Sequence, residues 1–172
     1  GSRGKFGSLI LEELNQYLFK GEQNYNYFRV LIAGCKTGDS VIGFAHQLLS
    51  RYSEIIAIES NLKNLDIARH RLKNIGIKNI KWIHGDIKNI DLYKIGKFDY
   101  INCDNILHHY ESPSEILKKL KILLKPNGGM GIELNGKYGR TSLVQLRSLL
   151  EKINKTDDNI QEKLDISKCV LN

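Results

Sequence analysis

Five short apolar runs, most of them handing over to a stretch of helical periodicity, constrain this chain more than any other feature. The runs are "FRVLIA" at 28–33, "EIIAIE" at 54–59, "NIKWIH" at 79–84, "FDYINC" at 98–103 and "MGIEL" at 130–134. With them alternate "SVIGFAHQLLSRY", "NLKNLDIARHRLKN", "SPSEILKKLKILLK" and "TSLVQLRSLLEKIN". Their apolar positions recur at helical spacing, as Leu143, Leu146, Leu149, Leu150 and Ile153 do in the last. Ser60 is placed to cap the second helix and Gly76 to stop it. Pro113 suits a first turn, and Pro126 with the following "NGG" breaks the third helix. Buried strands alternating with helices predict an α/β domain: a doubly wound, mostly parallel sheet with helices on both faces.

A chain of 172 residues with 41% apolar and 26% charged content has the bulk of one soluble domain. No apolar run approaches the roughly 18 residues of a membrane span, and the opening residues do not read as a secretory leader. The expected location is cytoplasmic, with no membrane partner. Cys35, Cys103 and Cys169 are odd in number and lack metal-ligand spacing, so they read as reduced thiols and no metal site is expected. The formal charge of +7 lies wholly in the second part: residues 1–60 carry six Lys/Arg and six Asp/Glu, residues 61–172 twenty and thirteen. A basic face suits an RNA or acidic-protein partner, but the richness in Lys, Asn and Ile throughout favours a compositional bias of the source.

Residues 1–27 comprise a scar-like opening, "GSRGKFG", a helix from Ser8 to Lys20 with Leu9, Leu14, Tyr17 and Leu18 at helical spacing, and a polar connector. The opening reads as excision from a larger protein. Residues 28–154 form the core, and 155–172, with a candidate cap at Thr156 or Asp157, the start of a further element.

In a doubly wound sheet, ligands bind beyond the carboxyl ends of the strands, where strand order reverses. Strand one ends in "AGCKTGD", whose small residues let backbone approach a ligand. Strand two ends in Glu59, 25 residues after Gly34, a carboxylate able to accept both hydroxyl protons of a ribose. Strand three ends in "HGD", where Asp86 is placed to accept from an adenine amino group, and strand four in "CDNILHHY", the wall nearest a reacting atom. Singly, each has a plainer reading as a turn or a helix cap. Four polar strand ends in this order, with "LKPNGG" before strand five, point to one ligand.

In order and spacing, these pieces resemble the motifs of class I S-adenosylmethionine-dependent methyltransferases: "VLIAGCKTG", "IIAIESN", "WIHGDI", "FDYINCDNILHHYESP" and "LLKPNGGM", spanning about residues 28 to 134. The resemblance implies a Rossmann-like core with S-adenosyl-L-methionine as cofactor and S-adenosyl-L-homocysteine as product. It further implies Gly34, Cys35 and Gly38 at the methionine end, Glu59 at the ribose, Asp86 at the adenine and Asp104 at the amino end near the transferred methyl. Lys36, Ser60, Gly85 and Ile87 are the remaining candidate cofactor contacts. The nearest competitor, a nicotinamide-dependent dehydrogenase, wants G-x-G-x-x-G around a pyrophosphate. Counting from Gly34, Lys36 stands at the second glycine and Asp39 at the third, an acid where phosphate would sit. A side chain at position 36 crowds a close backbone approach, at greater cost if φ is positive. Alternatively its ammonium pairs with the cofactor's carboxylate.

Methyl transfer from a sulfonium rests mainly on alignment and on a deprotonated acceptor. Base-amine methylating members of the family resemble one another in an Asp/Asn-Pro-Pro-aromatic tetrad after strand four. Its absence here points to a small-molecule or protein acceptor, with nucleic acid not favoured. Asp104 and His108 are the candidate catalytic residues, a histidine near neutral pH being able to take a proton; Glu133 is a comparable strand end. In such folds one of His108 and His109 usually packs while the other faces solvent. The "NGKYGRTS" segment offers Tyr138 and Arg140 as pocket residues and resembles the "YGR" turn of bacterial members, some multidomain and some acting on protein lysines. Sheets of this family have seven strands where five are readable here, which reads first as a cut inside a larger protein and second as a sheet completed by a partner. An uncovered edge would favour association, so a homodimer is an expectation. The alternative function is a cofactor-binding or structural module whose activity Lys36 has weakened.

Overall fold

A computed structural model describes Leu11, Asn15, Gln16 and residues 19–48, 52–77 and 79–133. The elements are β1 (Arg29–Ala33), α1 (Asp39–Leu48), β2 (Glu54–Glu59), α2 (Leu62–Asn74), β3 (Ile80–His84), a 3-10 segment (Ile87–Tyr93), β4 (Phe98–Asp104), a one-turn 3-10 helix (Leu107–His109), α3 (Pro113–Ile122) and β5 (Leu124–Glu133). The five strands form one parallel sheet in the order β3-β2-β1-β4-β5. The chain runs outward from β1 to β3, then returns to lay β4 on the other side of β1. Strand order therefore reverses between β1 and β4, where a doubly wound sheet opens its binding crevice.

Successive strand residues face opposite sides, so the sheet feeds two cores. On one side Val30, Ile32, Ile55, Ala57 and Tyr100 meet α1 through Val41, Phe44, Ala45 and Leu48, and α2 through Leu65, Ala68 and Leu72. On the other, Leu31, Ala33, Ile56, Ile58, Ile101 and Cys103 meet Ile87 and Ile90 of the 3-10 segment, Leu107, and Ile116 and Leu120 of α3. The α/β, doubly wound reading is what the structure shows, and every pairing in the described sheet is parallel.

Three details differ from the sequence expectation. The cap of α2 is Asn61, not Ser60: the Asn61 side chain accepts from the Asn64 N–H at 3.2 Å. Helix α3 ends at Ile122, and β5 begins at Leu124 rather than Met130. The cause is a bulge. Leu124 pairs with Phe98 but Gly129 with Tyr100, so the intervening residues loop out of register and Pro126, which has no N–H to give, is accommodated there. Both His108 and His109 are exposed, because Leu107 is the residue of that turn that packs. Among the described residues no helix is long and apolar enough to cross a membrane. The helix expected at 8–20 falls largely outside the described residues. Wholly outside them lie the helix at 141–154, Tyr138, Arg140, Cys169 and the 155–172 segment.

Candidate functional site

The site is assembled from the segments that leave each strand at its carboxyl end. After β1 the chain turns through Gly34 (φ 84°), Lys36 (φ 49°) and Gly38 (φ 95°). The N–H groups of Gly34 and Cys35 both donate to the Ile58 carbonyl, at 3.0 and 2.9 Å, which fastens the turn to β2. A Cβ on Gly34 would collide with the Ile106 side chain from the segment after β4. On Gly38 it would lie 3.0 Å from the Ala68 Cβ, so that glycine lets the start of α1 close against α2. Lys36 is the residue out of place. It holds the left-handed conformation that glycine adopts freely, at a cost of about 1–2 kcal/mol for an L-residue. Its N–H donates to Glu59 Oε2 at 2.8 Å, and its side chain is exposed.

Glu59 closes β2 and is 5% exposed. Its second oxygen, Oε1, accepts from the Asn61 N–H at 2.9 Å, so one carboxylate holds the turn after β1 and the start of α2 together. Each oxygen keeps a lone pair for a further donor. Ser60, beside it, is exposed. Cys35 is buried, and its thiol is pushed up to about 12 by burial and by the charge of Glu59. Burial thus disfavours its thiolate, and its Sγ lies 3.7 Å from the Lys36 carbonyl.

After β3, the Gly85 N–H donates to the Glu59 carbonyl at 2.9 Å, and the absent Gly85 side chain makes room for the Tyr93 ring. Asp86 caps the 3-10 segment: its Oδ1 accepts the Lys88 N–H at 2.9 Å and the Tyr110 hydroxyl at 2.8 Å. Burial raises its pKa, but the Lys88 N–H, the Tyr110 hydroxyl and the Lys88 ammonium outweigh that, and the net shift is downward. Ile87 is buried in the second core, which leaves its backbone for a ligand.

At the end of β4, Asp104 Oδ2 accepts from the buried Asn102 side-chain amide at 2.8 Å, with the Ser40 hydroxyl of α1 at 3.4 Å. Asn105 comes next, in the left-handed region (φ 53°), its N–H bound to the Glu133 carbonyl at 2.8 Å. The Asn105 Oδ1 atom is buried with no hydrogen-bond partner. His108 lies on the next turn against the His109 ring, with centroids 4.0 Å apart.

Glu59, Asp86 and Asp104 thus stand at three strand ends of one sheet edge, with an orphaned acceptor on Asn105. This set seeks donors and positive charge. It suits an ammonium, a sulfonium, ribose hydroxyls and an adenine amine, the groups of S-adenosylmethionine. It does not suit a pyrophosphate: α1 opens on Asp39, paired with Arg71 at 2.7 Å, so the helix N-terminus already has its anion. A cavity of about 700 Å³ lined by Phe19, Asp99, Lys125 and Pro126 lies at the other end of the strands, away from this chemistry. Sequence reasoning passed over Ser40, Asn102, Asn105, Ile106 and Tyr110. For Asn105 there was a signal, since asparagine tolerates positive φ better than most residues after a strand.

Residues 26–170 match a methyltransferase domain family model. The chain belongs to that family, and its sheet is the Rossmann-like core of class I S-adenosylmethionine-dependent methyltransferases. An uncharacterised protein of Synechococcus sp. is 34% identical over 126 residues, covering 71% of this chain and 29% of that protein. A demethylmenaquinone methyltransferase of Lactobacillus johnsonii is 29% identical over 99 residues, 57% of this chain and 40% of that one. Among solved structures, PKMT2 from Rickettsia typhi in complex with AdoHcy shares the fold with a TM-score of 0.65 at 23% identity, over 86% of this chain and 29% of that one. The chain spans less than a third of the length of the first curated relatives it matches.

Proposed function

We propose that this chain transfers a methyl group from S-adenosyl-L-methionine to a small-molecule or protein side-chain acceptor, with S-adenosyl-L-homocysteine as product. The observation that carries the reading is the row of carboxylates at the ends of β2, β3 and β4, anchored by Glu59, which holds two backbone N–H groups and keeps room for two further donors. The same cofactor product is bound in the N-terminal domain of EvdMO1, solved with SAH, and in the PKMT2 complex, which supports the assignment.

When bound, the cofactor supplies a methyl on a positively charged sulfur that departs neutral, so the protein's task is alignment rather than strong acid or base chemistry. Glu59 would hold the ribose hydroxyls, and Asp86 the adenine amine, with Gly85 and Ile87 supplying backbone beside it. Asp104, bonded to the Asn102 amide, would take the amino end, and Lys36 would pair with the carboxylate. For an acceptor that must lose a proton, the candidate bases are Asp104 and His108. We place the reaction in the cytoplasm, with a second copy of the chain as a partner.

The test is incubation with tritium-labelled methyl donor and fractionated cell extract. Label in a protein or a low-mass fraction supports the reading and identifies the acceptor class; label confined to RNA contradicts the acceptor assignment. A chain that binds the cofactor yet labels no fraction would be a binding module, and the proposed activity would be wrong.

A further inference from the structure

The bond between Asp86 and Tyr110 joins segments that belong to opposite halves of the sheet. Asp86 comes after β3 and Tyr110 after β4, with β2 and β1 lying between those strands. Tyr110 is held at its base by its own N–H, which donates to the Leu107 carbonyl at 3.1 Å, and its half-buried ring packs on the core around Leu107. Asp86 is gripped by a second tyrosine, since the Tyr93 hydroxyl donates to the Asp86 carbonyl at 3.1 Å. Backbone and side chain of one residue are each fixed by a phenol.

The hydrogen bonds decide which carboxylate oxygen remains for a ligand. A carboxylate offers about four lone-pair sites, two on each oxygen. Oδ1 already takes the Lys88 N–H and the Tyr110 hydroxyl. Oδ2 has only the Lys88 ammonium at 3.5 Å, a long contact from an exposed lysine that solvent weakens. A carboxylate held by its cap bond alone would still rotate, dividing the incoming donor between two orientations.

We propose that Tyr110 is a positioning residue for the adenine end of the site: its hydroxyl occupies Oδ1 of Asp86, so that Oδ2 is the oxygen presented to the ligand's amino group. This rests on the cofactor reading above. Tyr110 thereby sets selectivity for a 6-amino purine over a 6-oxo purine, whose carbonyl would face an acceptor instead of supplying a donor. It also ties the adenine end to the segment that follows Asp104 at the end of β4 and carries His108.

The experiment is calorimetric titration of the whole chain with S-adenosylhomocysteine and with S-inosylhomocysteine, for the parent, Tyr110→Phe, Asp86→Ala and the double variant. A hydrogen bond to a charged acceptor gives the parent a preference of about 10- to 100-fold for the adenine ligand. Tyr110→Phe is expected to cut that preference about 3- to 10-fold while leaving S-inosylhomocysteine affinity unchanged, and to have no further effect once Asp86 is alanine. An equal weakening of both ligands, or an unchanged preference, overturns the inference and leaves Tyr110 a packing residue. Tighter adenine binding by Tyr110→Phe also overturns it, because the hydroxyl would then be a competitor for Asp86. If Phe is not tolerated, Tyr110→Leu, which also lacks the hydroxyl, gives the same reading. Failure of the parent to bind either ligand refutes the cofactor reading itself, a result distinct from all of these.

Discussion

Replacing Lys36 by glycine separates backbone strain from ligand chemistry in the loop after β1. At φ 49° the lysine sits in the left-handed region, which costs about 1–2 kcal/mol for an L-residue. Glycine removes that cost but adds about 0.5–1 kcal/mol of unfolded-chain entropy. The N–H that donates to Glu59 is kept, so no hydrogen bond is lost. The net gain of roughly 0.5–1 kcal/mol corresponds to a rise in Tm of about 1–4 °C for a chain of this size, readable by thermal melting in the absence of ligand. The ammonium is exposed, so its pairing with a bound carboxylate is worth about 1 kcal/mol at most, and homocysteine-product affinity is expected to fall about 2- to 5-fold. That loss should shrink as salt is raised. A Tm that fails to rise refutes the strain argument. Affinity that increases several-fold would show that the side chain obstructs the ligand and that the loop is a weakened site.

Gly38→Ala meets both a positive φ of 95° and the Ala68 Cβ at 3.0 Å; strain and overpacking together predict a loss of about 2–4 kcal/mol, a fall in Tm of roughly 5–15 °C. Glu59→Gln sets an amide nitrogen against one of two backbone N–H donors in a buried place, so the urea midpoint should drop by the equivalent of about 1–3 kcal/mol with an unchanged m-value, and ligand affinity with it. Burial pushes the Cys35 thiol up to about 12 and the Cys103 thiol to about 11. Both stay protonated in the fold while the unfolded chain ionises in the ordinary thiol range, so their contribution is intact below that range and is lost as pH climbs through about 11 to 12. Denaturant titrations at rising alkaline pH, compared with Cys35→Ser and Cys103→Ser variants, would show this as a shallower decline in the variants.

The sheet was readable because β1, β2 and β4 are buried on both faces, which leaves near-continuous apolar runs such as "VLIA" and "IIAI". The start of β5 was not, since "LKPNGG" has the composition of a helix exit, and only pairing with β4 reveals that Pro126 sits in a bulge. Asn61 rather than Ser60 caps α2 because either polar residue satisfies the local rule, and backbone geometry chooses between them. Candidate site residues at strand ends were legible from order and spacing. Their supporting partners were not: Ser40 meets Asp104 across 64 residues and Tyr110 meets Asp86 across 24, contacts that only the folded sheet creates. Gly38 shows the same limit. Glycine after a strand suggests approach to a ligand, whereas its missing side chain makes room for Ala68.

Calorimetric titration of the chain with S-adenosylmethionine tests the central claim most directly. The donor-seeking set of Glu59, Asp86, Asp104 and Asn105 predicts one saturable site, weakened at least about tenfold by Glu59→Ala and untouched by pyrophosphate. Absence of heat from both the parent and Lys36→Gly, or displacement by pyrophosphate, would contradict it.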